Sequence, residues 1–181
     1  MNIRILKEVE RRYGHYASFA VWDKDINNTQ AIYDNIDLLH GKIVFVGYNA
    51  SAQIKVFQNF HKRHPGGRDC WLAESIGKHK IFIGAYMTDF FKGDYATREN
   101  GVITSKKIID KNNKIFEEEI RLITKRKPIL ILMGRRTENI LYRLGYNCKY
   151  SCIHTPHFAS HISKKKFFNE ISKLSRKIKG I

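Results

Sequence analysis

The sequence predicts an α/β protein, a three-layer α/β/α sandwich with a central four-stranded parallel sheet. Three observations predict it. Four short apolar, β-branched runs at residues 42–47, 80–87, 128–134 and 149–154 read as strands buried on both faces. The intervals between them can hold crossover helices, and helical periodicity fills them at 69–76, 108–125 and 137–144. With 43% hydrophobic and 12% aromatic residues, the 181-residue chain can bury the core of one domain, 1–181.

Taken in order, Ile3, Leu6, Val9 and Tyr13 fall on one helical face, and residues 29–39 are amphipathic behind the capping candidates Asn27 and Asn28. Residues 1–40 therefore read as a helical preface. The first strand ends at Gly47, the second at Met87, the third at Gly134 and the fourth at His154. Residues 63–68 and 92–100 break every pattern and read as loops. In the last segment, 163–179, Phe167, Phe168, Ile171, Leu174 and Ile178 share a face ringed by lysines and Arg176, as expected of a basic helix that covers the sheet. A parallel sheet of this kind holds its ligand beyond the carboxyl ends of the strands, so chemistry is expected just after Gly47, Met87, Gly134 and His154.

Composition narrows the function. The chain carries 33 Lys and Arg against 17 Asp and Glu, a formal net charge of +16. So large an excess on one domain favours a polyanion, and DNA leads the expected partners. No apolar run approaches the length of a membrane span, three cysteines make no disulfide framework, and residues 1–12 lack a signal peptide's apolar stretch; the expectation is a cytoplasmic protein without membrane or obligate protein partner.

Gly47-Tyr48-Asn49-Ala50-Ser51 follows the first strand, and His154-Thr155-Pro156-His157-Phe158-Ala159-Ser160 follows the last. At this pairing the chain resembles the uracil-DNA glycosylase superfamily, in motif style its mismatch-specific branch, where one strand ends in Gly-x-Asp/Asn-Pro and a later one in His/Asn-Pro-Ser before a wedge residue. Residues 86–92, Tyr-Met-Thr-Asp-Phe-Phe-Lys, are similar to the family's Tyr-Ile-Thr-Asn-Val-Val-Lys, and Ile131-Leu132-Met133-Gly134 to its apolar strand before a helix. The resemblance spans about residues 42–160. It implies a monofunctional, cofactor-free DNA glycosylase.

Hydrolysis of an N-glycosidic bond passes through an oxocarbenium-like sugar, so it needs a positioned water and donors for the departing base. The resemblance gives Asn49 the first role and His154 the second, with His157 the next candidate donor. Asn49 also fits a helix cap, and His154 a strand-closing histidine satisfied by backbone. Asn orients water but is a poor general base, so turnover should be slow. Where the family's uracil branch has Pro and Tyr, this chain has Ala50 and Ser51, which opens the pocket at C5 of the base. Asp89 replaces the family's base-reading Asn. An ionised carboxylate only accepts, which suits the N4 amine of cytosine and repels O4 of uracil; a solvated cap for residues 90–92 is the structural alternative. A cytosine-selective pocket open at C5 extends to hydroxymethylated or glucosylated cytosines of phage DNA, and so to antiviral defence. Among Phe57, Phe60 and Trp71, Phe60 is the chosen stacking residue. Phe158 stands at the wedge position. His157, Arg135, Arg136, Lys62, Arg63, Arg68, Lys164, Lys165 and Lys166 are the expected DNA contacts.

Other classes fit less well. Cys148, Cys152, His154 and His157 cluster like zinc ligands, but strand alternation splits them between faces, so no metal is expected. Three cysteines do not hold the four-cysteine iron–sulfur cluster of one family branch, and no deaminase signature is present. A uracil or mismatch repair glycosylase, a catalytically silent nucleic-acid binder and a small-nucleoside hydrolase stay open as alternatives.

Overall fold

A computed structural model of the chain describes residues 1–50, 54–61, 68–93 and 105–180. Their elements run α1 (Ile3–Tyr13), β1 (Ala17–Phe19), α2 (Gln30–Asp34), β2 (His40–Asn49), α3 (Asp69–Gly77), β3 (Ala85–Phe91), α4 (Lys106–Ile123), β4 (Ile129–Met133), α5 (Arg135–Arg143), α6 (Tyr146–Lys149), β5 (Ser151–Thr155) and α7 (Lys164–Lys179). The sheet order is β1-β3-β2-β4-β5. Strands β3, β2, β4 and β5 are parallel, and β1 is antiparallel to β3.

The expected α/β/α sandwich is present, with five strands in place of four. The extra strand, β1, lies inside the expected helical preface; its three residues are all buried and too few to show a period. By pairing with the outer side of β3 it turns an edge strand into an interior one, and all seven residues of β3 are buried. Alternation sends the two sides of each strand into separate cores. Val44, Val46, Tyr86, Phe90, Leu130 and Leu132 pack with α1, α4 and α5, whereas Phe45, Met87, Ile131 and Ile153 pack with α3 and α7.

Several boundaries differ from the sequence expectation for local reasons. The run at 80–87 begins as a 3-10 turn over Lys80–Phe82, and the strand starts only after Gly84, whose φ of +78° and tight approach to the Leu38 carbonyl exclude any side chain. Residues 29–39 give only the short α2 and a 3-10 turn, with Thr29 rather than Asn27 or Asn28 at the helix start. The last strand begins at Ser151 because residues 146–149 form α6. Helices α4 and α7 open on Ser105 and Ser163, whose side chains accept from Ile108 N and Lys166 N.

Strand β2 is the hinge of the topology. The chain goes from β2 to β3 on one side and then crosses back to β4 on the other, so the winding reverses between β2 and β4. A crevice opens at such a point beyond the carboxyl ends. Asn49, Gly134 and the segment after Thr155 stand around it. Among the described residues, no helix is long and apolar enough to cross a membrane.

Candidate active site

Gly47, Asn49 and Asp89 lie on the sheet face shared with α3 and α7, by alternation from Phe45 and Met87. Gly47 and Asp89 are register partners, and a β-carbon at position 47 would collide with Asp89 Oδ1. Glycine is required there because the carboxylate leans across the neighbouring strand. Asn59 fixes that carboxylate, donating from Nδ2 to Asp89 Oδ2 at 2.8 Å and to the Tyr16 carbonyl at 2.6 Å. Asp89 is only 3% exposed. Burial pushes its carboxyl up to about 6, against the Asn59 hydrogen bond and the Lys92 charge, while Glu119 and Asp69 add to the rise. Asp69, at the start of α3, is itself raised to about 6 by burial. The alternative of a solvated cap does not hold: Asp89 is a buried, held carboxyl.

Phe60 stands beside it, with Cζ 3.6 Å from the place a Gly47 β-carbon would occupy. Its φ of +66° is an uncommon conformation for a bulky residue. Neighbouring contacts enforce it. Trp22 Nε1 donates to the Phe60 carbonyl, Asn59 holds Tyr16, and His61, stacked on Trp22, donates from Nε2 to the Phe19 carbonyl at 2.9 Å. Of the other two aromatic candidates, Phe57 belongs to the opposite core, and Trp71 lies beneath the Arg68 guanidinium at 4.7 Å.

The segment after β5 closes over Phe60. Phe158 meets it edge to face, with centroids 6.3 Å apart, and His157 stacks on Phe158 at 4.3 Å. His157 Cβ also sits 3.3 Å from where a Gly134 β-carbon would be, at the mouth of the crevice. The His157 Nδ1 accepts from Ala159 N at 3.1 Å. That bond assigns the proton of a neutral ring to Nε2, and burial, which lowers the imidazole to about 4, keeps the ring neutral. The result is a neutral Nε2–H donor.

His154 is placed differently. It pairs with Leu132 and alternates with Ile153, so its side chain lies on the Cys152 face, toward the α5 core and away from Asp89. Its Nε2 is buried and has no hydrogen-bond partner among the described residues. Asn49 is at the crevice, half-buried, its Nδ2 donating to the Ala50 carbonyl at 2.9 Å, which leaves Oδ1 as the accepting end. Phe158 does not protrude as a wedge would: at 7% exposure it packs into the α3–α7 core.

The expected phosphate contacts divide. Arg68 is committed to carbonyls of Ser160 and Ile162, fastening the segment that carries His157 and Phe158 to the start of α3. Arg135 pairs with Glu138 at 2.9 Å and Lys164 with Glu74 at 2.6 Å. Arg136, Lys165 and Lys166 are exposed. Ser51, Lys62 and Arg63 lie outside the described residues. On the far face of β3, Lys92 Nζ meets Glu119 Oε2 at 2.7 Å, while Tyr86 and Thr88 donate to Glu119 Oε1 at 2.6 and 2.8 Å. The same ammonium reaches the Asp89 carbonyl, tying the end of β3 to α4. Among the described residues, no group of three or more His, Cys, Asp or Glu is gathered to hold a metal.

Sequence reasoning missed Asn59, Asp69 and the structural use of Arg68. Nothing local marks Asn59; its value comes from a partner thirty residues away. Comparison with protein-family models, curated proteins and solved structures yields no match for this chain.

Proposed function

We propose that the protein is a DNA glycosylase that hydrolyses the N-glycosidic bond of a cytosine-type pyrimidine turned out of DNA into the crevice beyond β2 and β4. One observation carries the reading: a buried carboxyl fixed by Asn59 against Gly47 and bordered by Phe60, with the neutral His157 donor joined to that wall through Phe158. An aromatic side chain beside an anchored hydrogen-bonding group is what an extruded base requires. Ionised, Asp89 accepts from the N4 amine. Asn49 Oδ1 orients a water toward C1′ of the sugar. As the bond to N1 breaks, the base departs with its electron pair while His157 Nε2–H hydrogen-bonds its O2 oxygen, the water oxygen bonds to C1′ and loses its proton to solvent, and the base anion takes up a proton from solvent. The +16 charge supports the polyanion partner.

Base release tests this. The protein is incubated with duplexes carrying uracil, hypoxanthine, or plain, methylated, hydroxymethylated or glucosylated cytosine, and free bases are read by mass spectrometry. The reading expects a free cytosine-type base and an abasic site. Asn49→Ala should keep DNA affinity while losing release, because water positioning matters in the transition state and phosphate contacts dominate binding. Binding of DNA with no base released from any duplex would leave a silent nucleic-acid binder instead.

A further inference from the structure

A second concavity lies at the opposite end of the sheet, where β2 and β4 begin. It is an open groove of about 660 Å³ between α1 and the end of α4. Its floor is apolar, made by Ile5, Leu39, Ile123 and Ile129. Its rim carries Lys42, Lys125, Arg126 and Lys127, all exposed. None of the described residues that line it is acidic. Ile3 and Leu38, 53% and 48% exposed, belong to α1 and to the turn before β2, the segments that contribute Ile5 and Leu39. Nothing in the excision chemistry uses this end of the molecule.

We propose that this groove docks a segment of a partner protein that is acidic and carries large aliphatic or aromatic side chains. The floor supplies the apolar area that anchoring side chains need, and the rim supplies charges that only an anion complements. Nucleic acid matches the rim and leaves the floor unfilled. An open trough suits an extended chain, which buries its side chains in turn along a groove, better than a small molecule that needs enclosure on most sides. Because the groove and the crevice occupy opposite ends of the strands, the partner segment and DNA can be bound together. The groove does not depend on the glycosylase reading.

The test uses the full chain and a short fluorescent peptide alternating Asp or Glu with Leu or Phe, followed by anisotropy. Two matched peptides replace either the apolar residues with Ser or the acids with their amides, and an oligothymidylate of similar length represents nucleic acid. Lys125→Glu/Arg126→Glu/Lys127→Glu reverses the rim. Lys106→Glu/Lys107→Glu/Lys111→Glu reverses the same number of exposed charges toward the other end of the 18-residue α4, up to about 27 Å away at 1.5 Å per residue. The proposal expects the rim variant to weaken the acidic, apolar peptide by about tenfold or more. It expects a similar loss when the peptide's apolar residues become Ser, and little loss in the charge-matched control. Equal losses in both variants, or indifference to the apolar residues, would reduce the binding to bulk charge and overturn it. Loss of oligothymidylate rather than peptide binding in the rim variant would assign the groove to nucleic acid and overturn it as well.

Discussion

Replacing Asp89 with asparagine separates its cost to the fold from its use in the site. Its carboxyl is raised to about 6 by burial, above the ordinary value near 3.9. Between those values the folded protein holds a proton that the unfolded chain has lost, so stability falls as pH rises from about 4 to 6, by on the order of 3 kcal/mol in all. Asn keeps the shape and the Asn59 bond without the charge. Asp89→Asn should therefore raise unfolding stability by about 1–3 kcal/mol at pH 8, and the gain should vanish toward pH 4, in urea melts at the two pH values. A loss at pH 8 would mean that the carboxylate is stabilising. The same proton changes the hydrogen-bond code: a neutral Asp89 donates and accepts, matching O4 and N3–H of uracil, so selectivity against uracil should relax below about pH 6. His157, lowered to about 4, is still neutral near pH 6 and adds no limb to the profile there. His157→Ala should slow base release by roughly 10²- to 10³-fold. His154→Ala should slow it far less, because its ring is on the other face; the reverse order in single-turnover rates would restore His154 as the donor.

At the scale of elements, the segment after β5 is anchored at Phe158 in the α3–α7 core and fastened further along by Arg68. Arg68 ties the Ser160 and Ile162 carbonyls to the start of α3 and rests on Trp71. Arg68→Ala should lower the rate of base release by about tenfold, with the salt slope of DNA binding unchanged, since the guanidinium serves the loop rather than a phosphate. A flattened slope would return Arg68 to the DNA contacts. The Lys92–Glu119 pair fixes the end of β3 from below, and Glu119→Gln, which strands a buried ammonium, should cost about 3–5 kcal/mol in a thermal melt. The long elements were legible in the sequence because α4 and α7 repeat apolar residues at helical spacing, and because β2 and β4 are unbroken apolar runs. Strand β1 was not. Three residues carry no period, and its place is set by the open edge of β3, a partner distant in sequence. The second strand was displaced because Lys80, Ile81 and Phe82 look like strand residues, and only the left-handed turn at Gly84 decides otherwise.

For the whole molecule, the candidate site was legible as two motifs at strand ends but not as a geometry. Parallel topology implied where Gly47, Asn49 and Asp89 would stand. Strand alternation then separated His154 from them, and the turn after Thr155 brought His157 back, an outcome that depends on where β5 ends rather than on residue type. The basic composition marks no track for a polyanion, because charges such as Lys164 and Arg135 are paired within the protein. Neutralising Lys164, Lys165 and Lys166 together should lower the slope of log K against log salt by about 2 rather than 3, at about 0.9 per phosphate contact, since Glu74 already occupies Lys164. An unchanged slope would place the DNA elsewhere. The most direct measurement is single-turnover base release from duplexes that differ only in the target base, 5-substituted cytosine or uracil, by the unmodified protein and by Asp89→Asn at pH 8. The buried carboxylate predicts that the unmodified protein releases the cytosine-type base faster and that Asn moves the ratio toward uracil by about 1 to 3 kcal/mol, or roughly 5- to 150-fold. A faster release of uracil by the unmodified protein, or a ratio that Asn leaves unmoved, would contradict it.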